Sequence, residues 1–120
     1  MSDKELSPNV QQQVLRLQQL QQSLAILLSE KQRIEAELAE VNAAIEELGK
    51  LGDGAVVYKA VGPVLVQTTK ESMVAELNER KELADTRLKV LERQEARARS
   101  QLESLQKEVQ RLLSGGQSGS

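Results

Sequence analysis

The chain has 120 residues, with sixteen Lys and Arg against eighteen Asp and Glu and a net charge of -2. It contains no Cys, His, Phe or Trp, and Tyr58 is its one aromatic residue. These absences exclude a thiolate nucleophile, an imidazole base and the usual zinc sites. The balanced charge argues against a nucleic-acid partner. We therefore predict no enzymatic activity, no catalytic residue, no metal and no cofactor.

The composition also indicates a cellular compartment and a fold class. The absence of cysteine fits a reducing compartment. No stretch is apolar enough to cross a bilayer, and the first residues lack a signal-peptide pattern. We therefore expect a cytoplasmic protein without a membrane partner. Heavy use of Leu, Ala, Glu, Lys and Arg predicts long helices.

Residues 1–7 are predicted to form a disordered lead, and residues 8–49 a first helix. Ser7 can cap the free amides of a helix, and Pro8 suits its first turn. Apolar residues then recur at alternating spacings of three and four, which is the seam of a coiled coil. The predicted seam positions are Val10, Gln13, Leu17, Leu20, Leu24, Leu27, Lys31, Ile34, Leu38, Val41, Ile45 and Leu48.

Residues 50–70 change period and are predicted to form a β-hairpin. Two β-branched runs flank Gly62 and Pro63, and the glycine can supply the positive φ of a tight turn. We expect Val61 to lie opposite Val64. Both faces of such a hairpin are apolar and a lone hairpin is marginal in water, so other subunits are expected to cover it. The predicted oligomerisation residues are Val56, Val57, Tyr58, Val61, Val64, Leu65 and Val66.

Residues 71–113 are predicted to form a second helix, followed by a flexible tail at 114–120. The helix is expected to begin near Thr68 or Thr69, with Glu71 completing a capping box if Thr68 is the cap. Its seam repeats the spacing of the first helix. The positions are Val74, Leu77, Lys81, Ala84, Leu88, Leu91, Glu95, Ala98, Leu102, Leu105, Val109 and Leu112.

Two matched helices joined through a hairpin are predicted to fold back as an antiparallel coiled coil. Charge supports this arrangement, because it brings the acidic residues of 30–47 beside the basic middle of the second helix. Near the hairpin, Met73, Leu83 and Val90 lie off the seam. We expect these three side chains to cover one face of the sheet.

Far from the hairpin, the helices carry aliphatic residues off the seam. Residues 9–28 are rich in glutamine and have Arg16 as their one charged residue. Two interpretations remain open from the residues alone: an adaptable apolar binding surface, or a widened coiled-coil core that packs within its own coil or on a neighbouring one. The candidate binding residues are Val10, Val14, Leu15, Leu17, Ile26, Leu28, Val109, Leu112 and Leu113.

The glycine-containing run at 49–54 ends the first helix. It lacks the G-x-x-x-x-G-K-[ST] spacing that cradles phosphate groups, so we interpret it as a turn. We therefore expect no use of ATP.

Three blocks resemble the β class of the prefoldin family, chaperones of archaea and eukaryotes. They are Val57-Tyr58-Lys59-x-Val61-Gly62, Leu65-Val66-x-Thr68-Thr69-Lys70-Glu71 and Leu91-x-Arg93-Gln94-Glu95. The likeness covers about residues 8–113, and a single hairpin is typical of the β class. It implies a hexamer of two α and four β subunits, whose hairpins combine into β-barrels from which the coiled coils hang. It also implies that unfolded client proteins are held at the coil ends without ATP and passed to a group II chaperonin.

The predicted fold class is mainly α: a long antiparallel two-helix coiled coil joined by a β-hairpin that assembles into an intersubunit β-barrel. The resemblance favours client binding at the coil ends. A structural tether or scaffold coiled coil without client-binding activity is the alternative. A nucleic-acid-binding coiled coil requires a basic stripe, and the sequence shows no such excess of Lys and Arg.

Overall fold

A computed structural model describes residues 7–118, with side chains up to residue 115. Its elements are, in chain order, helix α1 (Pro8–Gly49), strand β1 (Val56–Val61), strand β2 (Val64–Thr69) and helix α2 (Lys70–Ser118). The mainly helical fold with one antiparallel hairpin confirms the predicted fold class within a single chain. Residues 1–6 of the predicted lead lie outside the described residues.

The chain divides into two compact units. Residues 31–90 form the first, which we call the hairpin unit. The described residues up to 30 and from 91 onward form the second, which we call the terminal unit. Within residues 7–118 we find no helix suited to spanning a membrane.

Both helices begin at a capping hydroxyl group. The Ser7 side chain accepts a hydrogen bond from the Val10 N–H at 3.2 Å, as the Ser7-Pro8 pair predicts. At the start of α2, Thr69 Oγ1 accepts a hydrogen bond from the Ser72 N–H at 3.0 Å. Of the two predicted starts, the structure therefore selects Thr69. The capping box with Glu71 required Thr68 as the cap, and with Thr69 as the cap the third residue after it is Ser72.

Helix α2 extends to Ser118, five residues beyond its predicted end at residue 113. The sequence predicts a flexible tail at 114–120 because glycine and serine are weak helix formers. An existing helix, however, gains one backbone hydrogen bond for each residue added, so propagation is easier than nucleation. Residues 119 and 120 lie outside the described residues.

The heptad seam packs as predicted in each unit. Every predicted seam residue of α1 and α2 is buried or half-buried. In the hairpin unit, Val41 and Leu48 of α1 form a buried cluster with Leu77 of α2. In the terminal unit, the buried residues are Val10, Leu24, Ala98 and Val109.

An ion pair between the helices of the hairpin unit agrees with the predicted charge arrangement. Arg80 Nη2 lies 3.8 Å from Glu37 Oε1, so a basic side chain of α2 meets an acidic one of α1. Both side chains are partly exposed. An exposed pair of this kind contributes at most about 1 kcal/mol to stability.

The hairpin has the predicted register. Val61 pairs with Val64, and the outermost pair is Val56 with Thr69. Gly62 has a φ of +56°. A positive φ followed by a proline is the sign pattern of a type II′ turn, which suits the twist of a two-residue hairpin.

The predicted covering of the sheet is wrong for two of its three residues. Leu83 and Val90 are exposed on α2. Met73 is half-buried and packs, together with Val57 of β1, against the cluster of Val41, Leu48 and Leu77. Leu83 and Val90 occupy the same heptad position, on a side of α2 that turns away from the seam.

Candidate functional site

The hairpin presents a largely exposed apolar surface. Of the seven predicted oligomerisation residues, six are exposed: Val56, Tyr58, Val61, Val64, Leu65 and Val66. The seventh, Val57, points inward and packs against the buried cluster of the hairpin unit. Contiguous exposed aliphatic side chains on a two-stranded sheet favour association with another chain.

Two lysine side chains make contacts between elements of the hairpin unit. Lys59 Nζ of β1 donates a hydrogen bond to Glu76 Oε1 of α2 at 2.6 Å. Lys70 Nζ donates to the backbone carbonyl of Leu51 at 2.8 Å. The first contact joins the sheet to α2, and the second joins the first residue of α2 to the segment between α1 and β1.

A groove of ≈ 600 Å³ lies between β1 and the two helices of the hairpin unit. Its apolar wall includes Leu51, Val57 and Met73, and Lys59 and Glu76 also line it. Neither this groove nor the Lys59–Glu76 ion pair is predicted by the sequence pattern. A single lysine in a strand gives no signal of its partner on a later helix.

The terminal unit contains all nine predicted client-binding residues, in three classes of exposure. Leu15, Ile26 and Leu113 are exposed, at 56%, 69% and 42%. Half-buried side chains are those of Val14, Leu17, Leu28 and Leu112. Val10 and Val109 are buried in the seam, so a bound chain cannot reach them while the coil is closed.

Charges in the terminal unit are concentrated on α2, where they form pairs along the helix. Arg99 Nε lies 2.8 Å from Glu95 Oε2, and Lys107 Nζ lies 3.2 Å from Glu103 Oε1. Arg111 Nη2 lies 2.5 Å from Glu108 Oε1. Hydrogen bonding from Arg111 holds the pKa of the Glu108 carboxyl below its usual value. The α1 part, by contrast, has only Arg16 as a charged residue before Glu30.

Comparison with known proteins finds relatives that cover most of this chain. The family described as "Prefoldin subunit" matches residues 11–116. The chain is 47% identical to prefoldin subunit beta of Sulfurisphaera tokodaii, over 90% of this chain and 86% of that protein. It is 44% identical to prefoldin subunit beta of Archaeoglobus fulgidus, over 92% of this chain and 95% of that protein.

Solved structures show the same likeness. The crystal structure of the prefoldin beta subunit from Thermococcus strain KS-1 superposes with a TM-score of 0.83 and 40% identity, covering 89% of this chain and 94% of that one. The beta2 subunit from the same strain superposes with a TM-score of 0.69 at 20% identity, covering 76% of this chain and 97% of that one. The second comparison supports the fold alone.

Proposed function

This chain belongs to the prefoldin family, and on that premise we propose that it is a subunit of an ATP-independent chaperone that holds unfolded proteins at its coiled-coil ends. Family membership carries a chaperone-type role and assembly with other prefoldin subunits. The finer proposal is that clients bind the terminal unit and are passed to a group II chaperonin in the cytoplasm.

The observation that supports client holding is the exposure of Leu15, Ile26 and Leu113 in the terminal unit. Other side chains, buried or half-buried, occupy the seam of this unit, so these three side chains are not part of the core of their own coil. Exposed aliphatic groups in a weakly charged setting suit transient contact with the apolar side chains of unfolded proteins.

The hairpin surface supports the proposed assembly. Six exposed apolar or aromatic side chains project from two strands whose outer edges have no partner among the described residues. We propose that hairpins of neighbouring subunits pair there, in a hexamer of two α and four β subunits. Pairing between subunits satisfies the edge groups and buries the apolar faces.

The test separates a client-holding subunit from a structural tether. We expect the triple variant Leu15→Ser, Ile26→Ser, Leu113→Ser to hold a denatured protein at least tenfold more weakly, about 1.4 kcal/mol. Its melting temperature should change little, because the three side chains are exposed. The measurements are suppression of aggregation and thermal unfolding, both on the assembled complex.

Leu83→Ser is the matched control. Leu83 is exposed by 67%, close to the value for Ile26, but it lies in the hairpin unit. We expect this variant to hold clients as the unmodified chain does. A sharp fall in melting temperature with client holding retained would show that the three residues stabilise the coil and that the client site lies elsewhere. A complex that never suppresses aggregation would favour the tether.

A further inference from the structure

Leu15 and Ile26 lie on one face of α1. They are eleven residues apart, which is just over three helical turns, so their directions differ by roughly 20° and their positions along the axis by roughly 16 Å. Both side chains are exposed, and both lie in the terminal unit. The helix thus presents two aliphatic groups in a line along its outer side.

Glutamine side chains occupy the positions between them. Gln19 and Gln22 follow Leu15 by four and seven residues, and these spacings keep them on the same face. Both are exposed. A neutral amide side chain offers two donors and an acceptor, so it can bond to either polar group of a peptide backbone. The face therefore carries aliphatic side chains at its two ends and uncharged hydrogen-bonding side chains between them.

A second pair of exposed aliphatic side chains, on α2, has a charged residue beside it. Leu83 and Val90 are seven residues apart on α2, and Arg87 lies between them on the same face. On α1, Arg16 is the one charged residue from Pro8 to Ser29, and it points about 100° away from Leu15. The four side chains that define the face from Leu15 to Ile26 are thus uncharged, with Arg16 at its margin, and this matches an uncharged partner.

We infer that this face, defined by Leu15, Gln19, Gln22 and Ile26, binds an extended, uncharged segment of an unfolded chain that carries two apolar side chains six residues apart. The inference rests on the proposed client-holding function and names the segment that this face selects. Polyproline II is a major conformation of unfolded chains, and its backbone groups have no internal hydrogen bonds. They are therefore available to the two glutamine amides.

The spacing follows from the geometry of that conformation. Polyproline II has three residues per turn and a rise of about 3.1 Å, so side chains six residues apart lie on one side at about 19 Å. Side chains three residues apart lie at about 9 Å. The roughly 16 Å between Leu15 and Ile26 is much closer to the longer spacing, and flexible aliphatic side chains can take up the remaining difference.

The experiment exchanges two side chains, which moves one aliphatic group along the face and leaves the amino-acid composition of the chain unchanged. The double variant Gln22→Ile, Ile26→Gln reduces the separation to seven residues, roughly 10 Å along the axis. The probes are two uncharged peptides, each with two leucines among glycine, serine and asparagine, spaced six or three residues apart. Binding is measured by fluorescence anisotropy on the assembly that the chain forms in solution.

We expect the unmodified chain to bind the six-residue spacing at least threefold more tightly than the three-residue spacing, and the double variant to reverse this preference. Gln22→Glu should weaken both peptides at least threefold, whereas Gln32→Glu, exposed on α1 in the hairpin unit, should not. Helical content measured by circular dichroism checks that each variant is folded.

Equal binding of both peptides would overturn the inference, and so would a preference that the double variant leaves unchanged. The proposed function would survive either result if the complex still suppresses aggregation. Loss of assembly mass in the variants without any change in peptide binding would assign the face to contact between copies of the chain, and would also overturn it. Absence of client holding by the unmodified complex would remove the proposed function itself, and the inference with it.

Discussion

Gly62 is the residue of the hairpin strands and turn that adopts a positive φ. Its φ is +56°, and an added Cβ would meet no atom within 4 Å, so the conformational constraint comes from the backbone alone. We expect Gly62→Ala to lower the free energy of unfolding by about 1–2 kcal/mol, because an L side chain disfavours positive φ. Urea denaturation of the assembled protein measures the change.

Gly52→Ala is the control for that substitution. Gly52 also has open space around an added Cβ, but its φ is not positive. The alanine should therefore be neutral, or stabilising by less than about 1 kcal/mol through the unfolded chain. Equal effects at the two glycines would show that strain at the turn is not the cause.

Glu108 gives the terminal unit a small pH dependence with a definite sign. The hydrogen bond from Arg111 lowers the pKa of the carboxyl in the folded chain. The stabilisation is therefore fully present above the ordinary pKa of glutamate and is lost as the pH falls through the lowered value. We expect Glu108→Gln to lower the melting temperature slightly at neutral pH and to make no difference at strongly acidic pH.

Thermal unfolding of both proteins across the acid range checks this expectation. The pair is exposed, so the effect at neutral pH should be small and should shrink with added salt. A difference between the two proteins that persists at low pH would mean that Glu108 acts through packing rather than through charge.

At the scale of elements, the hairpin is the part whose exposed apolar side chains favour association with another chain. Val64 and Leu65 are exposed on β2 beside the turn. We expect either Val64→Asp or Leu65→Asp to prevent assembly while helical content stays largely intact, because a carboxylate buried between strands without a partner costs several kcal/mol. Light scattering measures assembly, and circular dichroism measures helical content.

Leu83→Asp separates this effect from a general effect of added charge. Leu83 is as exposed as Leu65, but it lies on α2 outside the hairpin. We expect it to leave the mass of the assembly unchanged. A full-sized complex from either hairpin variant would contradict the pairing of hairpins between subunits.

Some elements and contacts could be predicted from the sequence, and others could not. The hairpin register was predictable because the two-residue Gly62-Pro63 turn pairs Val61 with Val64 and thereby sets every pair beyond them. The heptad seam was predictable because its period is local information. The ion pair of Lys59 with Glu76 was not predictable, because it depends on how the sheet sits on the helices of the hairpin unit.

The candidate site could be predicted in position but not in exposure. Off-seam aliphatic residues in 9–28 pointed to the terminal unit, yet the sequence placed Val10 and Leu15 in one set. The structure separates them, since Val10 is buried in the seam and Leu15 is exposed. Seam position gave a signal for this difference, because Val10 occupies position a and Leu15 position f of the heptad.

At the scale of the whole molecule, the composition and the exposed apolar side chains bear on different parts of the proposed function. The sequence contains neither Cys nor His. Within residues 7–118, no group of three or more acidic side chains is placed to hold a metal ion. Exposed apolar side chains lie on the hairpin and in the terminal unit. The first surface suits other subunits and the second suits clients, which is the division of labour that the proposed function requires.

The last prediction concerns the partners of the hairpin. If edges of β1 and β2 are completed by other prefoldin subunits, mixing this chain with an α-class subunit should give one complex with two α and four β chains. The stoichiometry is the one that the family resemblance implies, and the uncovered apolar edges supply the physical reason for association. Mass measurement by light scattering or native mass spectrometry reads the stoichiometry directly, and this chain with Leu65→Asp serves as the control that should not assemble. If the mixture leaves the two chains as separate species, or the control forms the same complex, the hairpin is not the element that joins the subunits.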